Sequence, residues 1–152
     1  TRPFTCILVG SDISGDNEIL VEAIKNKKLE NNIILAGPTE EIDLYMSGID
    51  IHILSSLDES FPNVIAEAMI CGTPCVATDV GDTKMMLSDL GWLCPPKNSI
   101  LLHESILCSL SDYFDQTESF KASHQEKCKY FILENFSFNK MLYSFNKAWF
   151  ME

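Results

Sequence analysis

Positive charge is scarce in this sequence: 11 lysines and arginines stand against 22 aspartates and glutamates, for a formal net charge of −11. Nucleic-acid binding depends on a basic stripe, so this composition argues against nucleic acid as a partner. Arg2 is the only arginine. Because the overall field repels anions, the charge of any anionic ligand must be met by backbone amides, by lysine or by groups outside this chain.

Long apolar stretches are lacking too. No run approaches the roughly 20 residues that span a bilayer. The opening residues TRPFTCILVGSD have neither the basic start nor the small-residue cleavage site of a secretory signal. We therefore expect a cytoplasmic protein.

Paired cysteines are also missing. None of the six has C-x-x-C spacing, and most have apolar neighbours, as small core side chains do. Around Cys71 and Cys75, no histidine or second cysteine pair completes a zinc set. We expect reduced thiols, no disulfide and no metal. The cysteines are Cys6, Cys71, Cys75, Cys94, Cys108 and Cys128.

What the sequence does contain is a regular alternation of short apolar runs and segments with helical periodicity, over a length that suits one compact domain, residues 1–152. This order predicts an α/β domain in which a parallel sheet has helices on both faces, followed by C-terminal helices. The predicted strands are 4–9, 32–36, 49–54, 74–77 and 91–94. The predicted helices include residues 19–24 and cover 39–46, 62–71, 99–110, 118–134 and 138–150, with Thr39 and Ser137 as N-caps.

A parallel sheet binds ligands at the carboxyl ends of its strands. Any site should therefore lie in the loops after Val9, Ala36, Leu54 and Ala77. The loop after Leu54 is the most informative, because of the helix that it leads into.

That helix has matched start and stop signals, with Pro62 in its first turn and Gly72 past its end. The free N–H groups and partial positive charge at its N-terminus attract phosphate. Phe61 has no side-chain acceptor to occupy those groups; a cap by Ser60 would weaken the argument. At about 100° per residue, Val64, Ile65, Ala68 and Met69 share the buried side, and Asn63 and Glu67 lie on roughly the opposite side.

Two glutamates flank the start of this helix. Glu67 lies about 7 Å along the axis and leans back towards the N-terminus, whereas Glu59 is on the preceding loop. Carboxylates bind hydroxyl groups and repel phosphate, so this combination favours a sugar nucleotide over a plain anion. Taken alone, the spacing leaves open that Glu59 is a loop charge and Glu67 a solvated helix residue.

The residues around the two glutamates resemble a known signature. Residues 59–81 read ESFPNVIAEAMICGTPCVATDVG. This run is similar to the Glu–seven residues–Glu motif of the family 4 (group 1) retaining glycosyltransferases. Weaker similarities are VG at 9–10, LAG at 35–37 and GWLCPPKN at 91–98. The resemblance implies the C-terminal, donor-binding domain of a GT-B fold, with a Rossmann-like sheet, and it tapers in the last two helices.

The resemblance also implies roles for individual residues. Glu67 would hold the ribose hydroxyls of the donor, and Glu59, the catalytic candidate, would contact hydroxyls of the transferred sugar. Gly10 would face the diphosphate, and Gly37 and Pro38 would lie beside the base. The stretch whose backbone amides would meet sugar and diphosphate is Phe61, Pro62, Asn63, Val64 and Ile65.

For the whole protein, the resemblance implies sugar transfer from a UDP- or GDP-sugar to a glycan or a lipid-linked acceptor, with retention. No cofactor or metal is expected. The first strand-helix unit, with an arginine and a lysine that neutralise the diphosphate, and the N-terminal acceptor domain would precede Thr1. This chain alone is then expected to be inactive, and membrane contact is expected only indirectly, at the inner face. The alternatives are a sugar-nucleotide epimerase of the same architecture and a non-catalytic binding domain.

Some positions depart from the family pattern. Asp12 follows Gly10, where an acidic group is unfavourable beside a diphosphate. After Gly81 the chain reads Asp82-Thr83-Lys84 instead of the usual Gly-x-x-Glu, which leaves open whether Lys84 contacts phosphate.

Three histidines and a C-terminal group of aromatic side chains lie outside the motif. His52 lies within a predicted strand and is expected to be a core histidine, while His103 and His124 are expected at the surface. The aromatic side chains either pack on the sheet or mark a surface that meets the missing domain. They are Phe131, Phe136, Phe138, Tyr143, Phe145, Trp149 and Phe150.

Overall fold

The structure, a computed structural model, describes residues 3–150. The chain divides into two compact units, Thr1–Ile42 and Asp43–Glu152. Within the described residues, no helix is both long and apolar enough to cross a membrane.

The first unit is a strand-helix-strand arrangement: β1 (Cys6–Val9), α1 (Glu18–Asn26) and β2 (Ile33–Gly37). The strands pair in parallel with Ile7 opposite Ile34, and both of these side chains are exposed, so one face of the pair is uncovered within this unit. The Asn17 side chain caps α1 by accepting a hydrogen bond from the Leu20 amide.

The second unit contains a three-stranded parallel sheet in the order β3-β4-β5. The middle strand, β4, is buried on both faces, which explains its continuous apolar sequence. The elements are α2 (Ile42–Gly48, beginning at the unit boundary), β3 (His52–Leu54), α3 (Asn63–Cys71), β4 (Cys75–Thr78), α4 (Thr83–Leu87), β5 (Trp92–Cys94), α5 (Ser99–Ser109), a π-helical segment (Leu110–Phe114), α6 (Glu118–Phe136) and α7 (Phe138–Phe150).

The core of this unit lies where α3, β4 and α4 meet. The side chains of Ile65, Met69, Val76, Met86 and Leu87 are almost completely buried. A cluster of this kind provides most of the stability of a small domain, because each buried aliphatic side chain contributes about 1.5–3 kcal/mol. The start of α3 is therefore held by a rigid core.

The α/β class, with parallel strands flanked by helices, is confirmed. The start of one predicted helix shifts by three residues: α2 begins at Ile42 instead of residue 39, although the Thr39 side chain does accept a hydrogen bond from the Glu41 amide. The Lys140 amide donates to the Ser137 hydroxyl, as expected for a cap of α7. His124 corrects another expectation, since it is half-buried against Tyr113 instead of lying on the surface.

Helix α4 is not predicted by the sequence. Five residues are too few to show helical periodicity, and isolated helices of this length are unstable. Burial of Thr83, Met86 and Leu87, together with a hydrogen bond from the Thr83 hydroxyl to the Val80 carbonyl, holds this one in place.

Three of the six thiols follow the expectation of small core side chains, whereas Cys6 and Cys71 are only half-buried. Cys75, Cys94 and Cys128 are buried, and burial raises the pKa of Cys128 to about 11. Cys108 departs from the expectation, because it is exposed on α5.

Candidate functional site

The N-terminus of α3 is the centre of the candidate site. Pro62 occupies the N-cap position, so the helix begins one residue later than predicted, at Asn63. No side chain among residues 3–150 caps α3. Neither Ser60 nor Phe61 does so, and Pro62 has no side-chain oxygen that could accept a hydrogen bond from the first amides. The Ile65 amide donates to the Pro62 carbonyl at 3.0 Å, which leaves the amides of Asn63 and Val64 available to an anion.

The faces of α3 agree with the predicted helical wheel except at Val64, which is half-buried instead of buried. Ile65, Ala68 and Met69 are buried, while Asn63 is exposed. Glu67 is half-buried on the side of the helix away from the core. A partly buried carboxylate one turn into a helix can accept hydrogen bonds from hydroxyls bound near the N-terminus.

Glu59 lies on the loop between β3 and α3 and is also half-buried. Its Oε1 accepts a hydrogen bond of 2.7 Å from the Ser56 hydroxyl. Glu59, Glu67 and the start of α3 therefore belong to one short stretch of chain, with both carboxylates only partly accessible to solvent.

The loop that carries Glu59 is attached to the end of β4. The Thr78 hydroxyl donates to the Ser56 carbonyl at 2.7 Å, and the Asp82 amide donates to the Ser60 carbonyl at 3.1 Å. Gly81 has a φ of +50°, and a Cβ placed on it would lie 2.1 Å from the Glu59 carbonyl oxygen. These contacts bring the loops after β3 and β4 together at the carboxyl end of the sheet.

Ser56, Thr78 and Gly81 support the site but were not recognised in this role from the sequence. A hydroxyl at the end of the otherwise apolar strand β4 is a weak signal that could have pointed to Thr78. No comparable signal points to Ser56, because its partners depend on the tertiary structure.

Phe61 is held by a contact with the end of α6. Its ring contacts Phe136 at a centroid distance of 5.9 Å, and Phe136 in turn contacts Phe131 at 5.8 Å. The end of α6 thus supports the loop that leads into α3. The side chain of Phe61 is still 41% exposed.

The remaining predicted site residues lie in the first unit. The Gly10 amide donates to the Gly37 carbonyl at 3.0 Å, so these two glycines are brought together after β1 and β2. Gly37 is buried with a φ of +73°, and Pro38 is exposed. Asp12 is exposed and adopts a φ of +61°.

Lys84 is exposed on α4, in the second unit. No group of three or more histidine, cysteine, aspartate or glutamate side chains in the described part of the chain could hold a metal ion. Two cavities of about 260 and 230 Å³ lie apart from the candidate site: one adjoins Cys71 and Tyr113, the other Trp92 and His124, and neither is lined by Glu59 or Glu67.

Comparison with known proteins identifies the family of this chain. Residues 1–112 match the family described as "Glycosyl transferases group 1". The chain is 26% identical over 125 residues to the N-acetyl-alpha-D-glucosaminyl L-malate synthase of Bacillus anthracis, a match covering 81% of this chain and 32% of that protein.

Solved structures are similar as well. A glycosyltransferase from Rickettsia africae is 28% identical with a TM-score of 0.81, covering 97% of this chain and 39% of that one. Anabaena HepE in complex with UDP-glucose is 28% identical with a TM-score of 0.74, covering 88% and 37%. The chain thus spans well under half the length of these relatives. With the family match extending over most of its residues, the chain belongs to the glycosyl transferases group 1 family, as a C-terminal domain of GT-B type.

Proposed function

We propose that this chain is the donor-binding domain of a glycosyltransferase that moves a sugar from a UDP- or GDP-sugar to a glycan or lipid-linked acceptor, with retention. The observation that carries the proposal is the uncapped start of α3 with a half-buried carboxylate on each side, Glu59 before it and Glu67 within it. Anabaena HepE, which is similar in fold and sequence, was crystallised with UDP-glucose, which supports a uridine nucleotide as the first ligand to test.

Each group has a distinct task in this proposal. The free amides and the dipole at the α3 N-terminus hold the diphosphate. Glu67 accepts hydrogen bonds from the ribose, and Glu59 from the transferred sugar. Phe61, Pro62, Asn63, Val64 and Ile65 supply the backbone next to diphosphate and sugar.

Positive charge for the leaving diphosphate has to come from elsewhere. The described residues of the candidate site include no arginine, and Lys84 is the lysine nearest to it in the sequence. Neutralising a developing phosphate charge contributes several kcal/mol to catalysis. We therefore propose that residues 1–152 form one domain of a longer enzyme, whose preceding strand-helix unit and acceptor domain complete the site. The proposal needs no metal, and the chain alone should bind a donor without transferring its sugar.

Nucleotide titration tests this proposal directly. UDP, GDP and ADP would be added to the 15N-labelled chain, and affinity measured from chemical-shift changes. We expect saturable binding of UDP or GDP, with an affinity that falls about tenfold in Glu67→Ala, because a charged hydrogen-bond acceptor is lost.

Glu104→Ala is the matched control, since Glu104 is an exposed helix residue outside the site. Absence of binding to all three nucleotides would favour a non-catalytic domain, and an equal loss in both variants would remove Glu67 from the site. Sugar transfer by residues 1–152 alone would contradict the division of the active site between domains.

A further inference from the structure

We propose that Ser56 is a positioning residue, which holds the Glu59 carboxylate in the orientation needed to meet the transferred sugar. This inference rests on the proposed function, because it takes Glu59 as the residue that contacts sugar hydroxyls. It adds a side chain, and a connection back to the sheet, that the sequence motif does not contain.

The first observation is the hydrogen bond itself. The Ser56 hydroxyl donates to Glu59 Oε1 at 2.7 Å, a short distance typical of a hydroxyl bonded to a carboxylate. Within residues 3–150, Oε2 makes no hydrogen bond that would compete with a ligand. One carboxylate oxygen is thus occupied and the other is left for a sugar hydroxyl.

The second observation is the way Ser56 is held. Its carbonyl accepts a hydrogen bond of 2.7 Å from the Thr78 hydroxyl, and Thr78 is only 3% exposed at the end of β4. The same hydroxyl lies 3.4 Å from the Leu54 carbonyl, at the end of β3. The backbone of Ser56 is therefore held by a buried residue at the end of β4, two positions after the end of β3.

The third observation concerns the Glu59 backbone. The Glu59 carbonyl is packed against Gly81, so the peptide unit cannot shift towards the loop after β4. With its backbone held by Gly81 and its carboxylate by Ser56, Glu59 loses little rotamer freedom when a ligand binds. Pre-ordering of this kind raises affinity because the entropy of fixing the side chain has already been spent on folding.

This arrangement predicts that loss of the Ser56 hydroxyl weakens binding of the nucleotide sugar more than binding of the nucleotide alone. Ser56→Ala should weaken UDP-glucose about fivefold while leaving UDP within about twofold, because only the sugar meets Glu59. Ser56→Thr retains the hydroxyl and should keep most of the preference for UDP-glucose over UDP. GDP and GDP-mannose would replace this pair if GDP is the nucleotide that binds.

The decisive measurement is a double-mutant cycle with Glu59→Ala. If Ser56 acts through the carboxylate, adding Ser56→Ala to Glu59→Ala should change UDP-glucose affinity by less than about twofold. Ser111→Ala is the matched control: the Ser111 hydroxyl also contacts a carboxylate, that of Asp112, but in the π-helical segment. It should leave both affinities unchanged, and thermal unfolding would show whether each variant is folded.

The outcomes separate this inference from the proposed function. No nucleotide binding by the unaltered chain overturns the proposed function and this inference with it. Intact nucleotide binding with additive effects of Ser56→Ala and Glu59→Ala, or equal loss of UDP and UDP-glucose, overturns the positioning role alone. If Ser56→Ala does not fold, Ser56→Cys, which keeps a similar size with a weaker donor, should show the same selective loss of UDP-glucose.

Discussion

Gly81 illustrates how one residue can set the geometry of the candidate site. Its φ of +50° lies in the left-handed region, and a Cβ would meet the Glu59 and Ser60 carbonyl oxygens at 2.1 and 2.6 Å. An alanine here would be strained by about 1–2 kcal/mol from its backbone alone, and the clash with a carbonyl oxygen forces the two loops apart.

Gly81→Ala should therefore lower the free energy of unfolding by at least about 2 kcal/mol and weaken nucleotide binding. Urea denaturation and UDP titration measure the two effects. Gly48→Ala is the control, because a Cβ there meets no atom within 4 Å, and the change should stay within about 1 kcal/mol. Equal stability of the two variants would show that the close approach at Gly81 is relieved without cost.

His52 is expected to make the stability of the domain depend on pH. Burial of the imidazole lowers the pKa of His52 to about 4, and its buried Nε2 has no hydrogen-bond partner among the described residues. In the unfolded chain the pKa is about 6.5, so between about pH 6.5 and pH 4 the unfolded state binds a proton that the folded state does not. Stability is unaffected by His52 above that range and falls as the pH decreases through it.

Between neutral pH and about pH 4, we expect His52→Leu to lose about 3 kcal/mol less stability than the unaltered chain. At neutral pH the variant should be as stable as the unaltered chain or more so, because an unsatisfied buried nitrogen is replaced by an apolar group. Urea denaturation across this pH range measures both. If the free energy of unfolding changed equally with pH in both proteins, His52 would not be the group whose protonation lowers the stability.

The last helix, α7, differs from the core helices in its exposure to solvent. Every residue of α7 is exposed, including Phe145, Trp149 and Phe150, and Trp149 is 77% exposed. By contrast, α6 buries Cys128 and Ile132 and packs against α3. Of the two expectations for the C-terminal aromatics, packing applies to Phe131 and Phe136, which are half-buried, and surface exposure applies to those in α7.

Removal of residues 138–152 should therefore change the free energy of unfolding by less than about 1 kcal/mol, because little apolar area is buried by α7. Removal of residues 118–152, which also deletes α6, should abolish cooperative unfolding. Far-UV circular dichroism in urea distinguishes the two. A loss of more than about 2 kcal/mol on removing α7 alone would mean that the helix stabilises the domain through contacts other than burial.

For the molecule as a whole, sequence similarity and structural similarity extend over different lengths. The family match ends at residue 112, near where the resemblance was expected to taper, whereas the structural match to the Rickettsia africae protein covers 97% of the chain. Helices that only need an apolar face in the right place can retain their position while their sequences diverge. The residues of a ligand site have far less freedom, so the motif at 59–81 is the part that can be recognised from sequence.

Much of the fold could be predicted because its signals are local. Alternating apolar runs, Asn or Ser caps and the Pro62–Gly72 pair predict most strands and helices. Helix α4 could not be predicted, since burial of Thr83, Met86 and Leu87 stabilises it. The division of the strands into a pair, β1-β2, and a triplet, β3-β4-β5, also depends on which backbones meet in space.

The family and the two candidate glutamates could be recognised from residues 59–81 alone, because these form one contiguous motif whose spacing on a helix follows from its 3.6-residue turn. How Glu59 is held depends instead on contacts between distant segments of the chain. Thr78 and Ser56 are 22 positions apart, and Gly81 reaches the Glu59 carbonyl from a different loop. Such contacts arise because parallel strands place the ends of separate chain segments side by side, a consequence of packing that no local pattern contains.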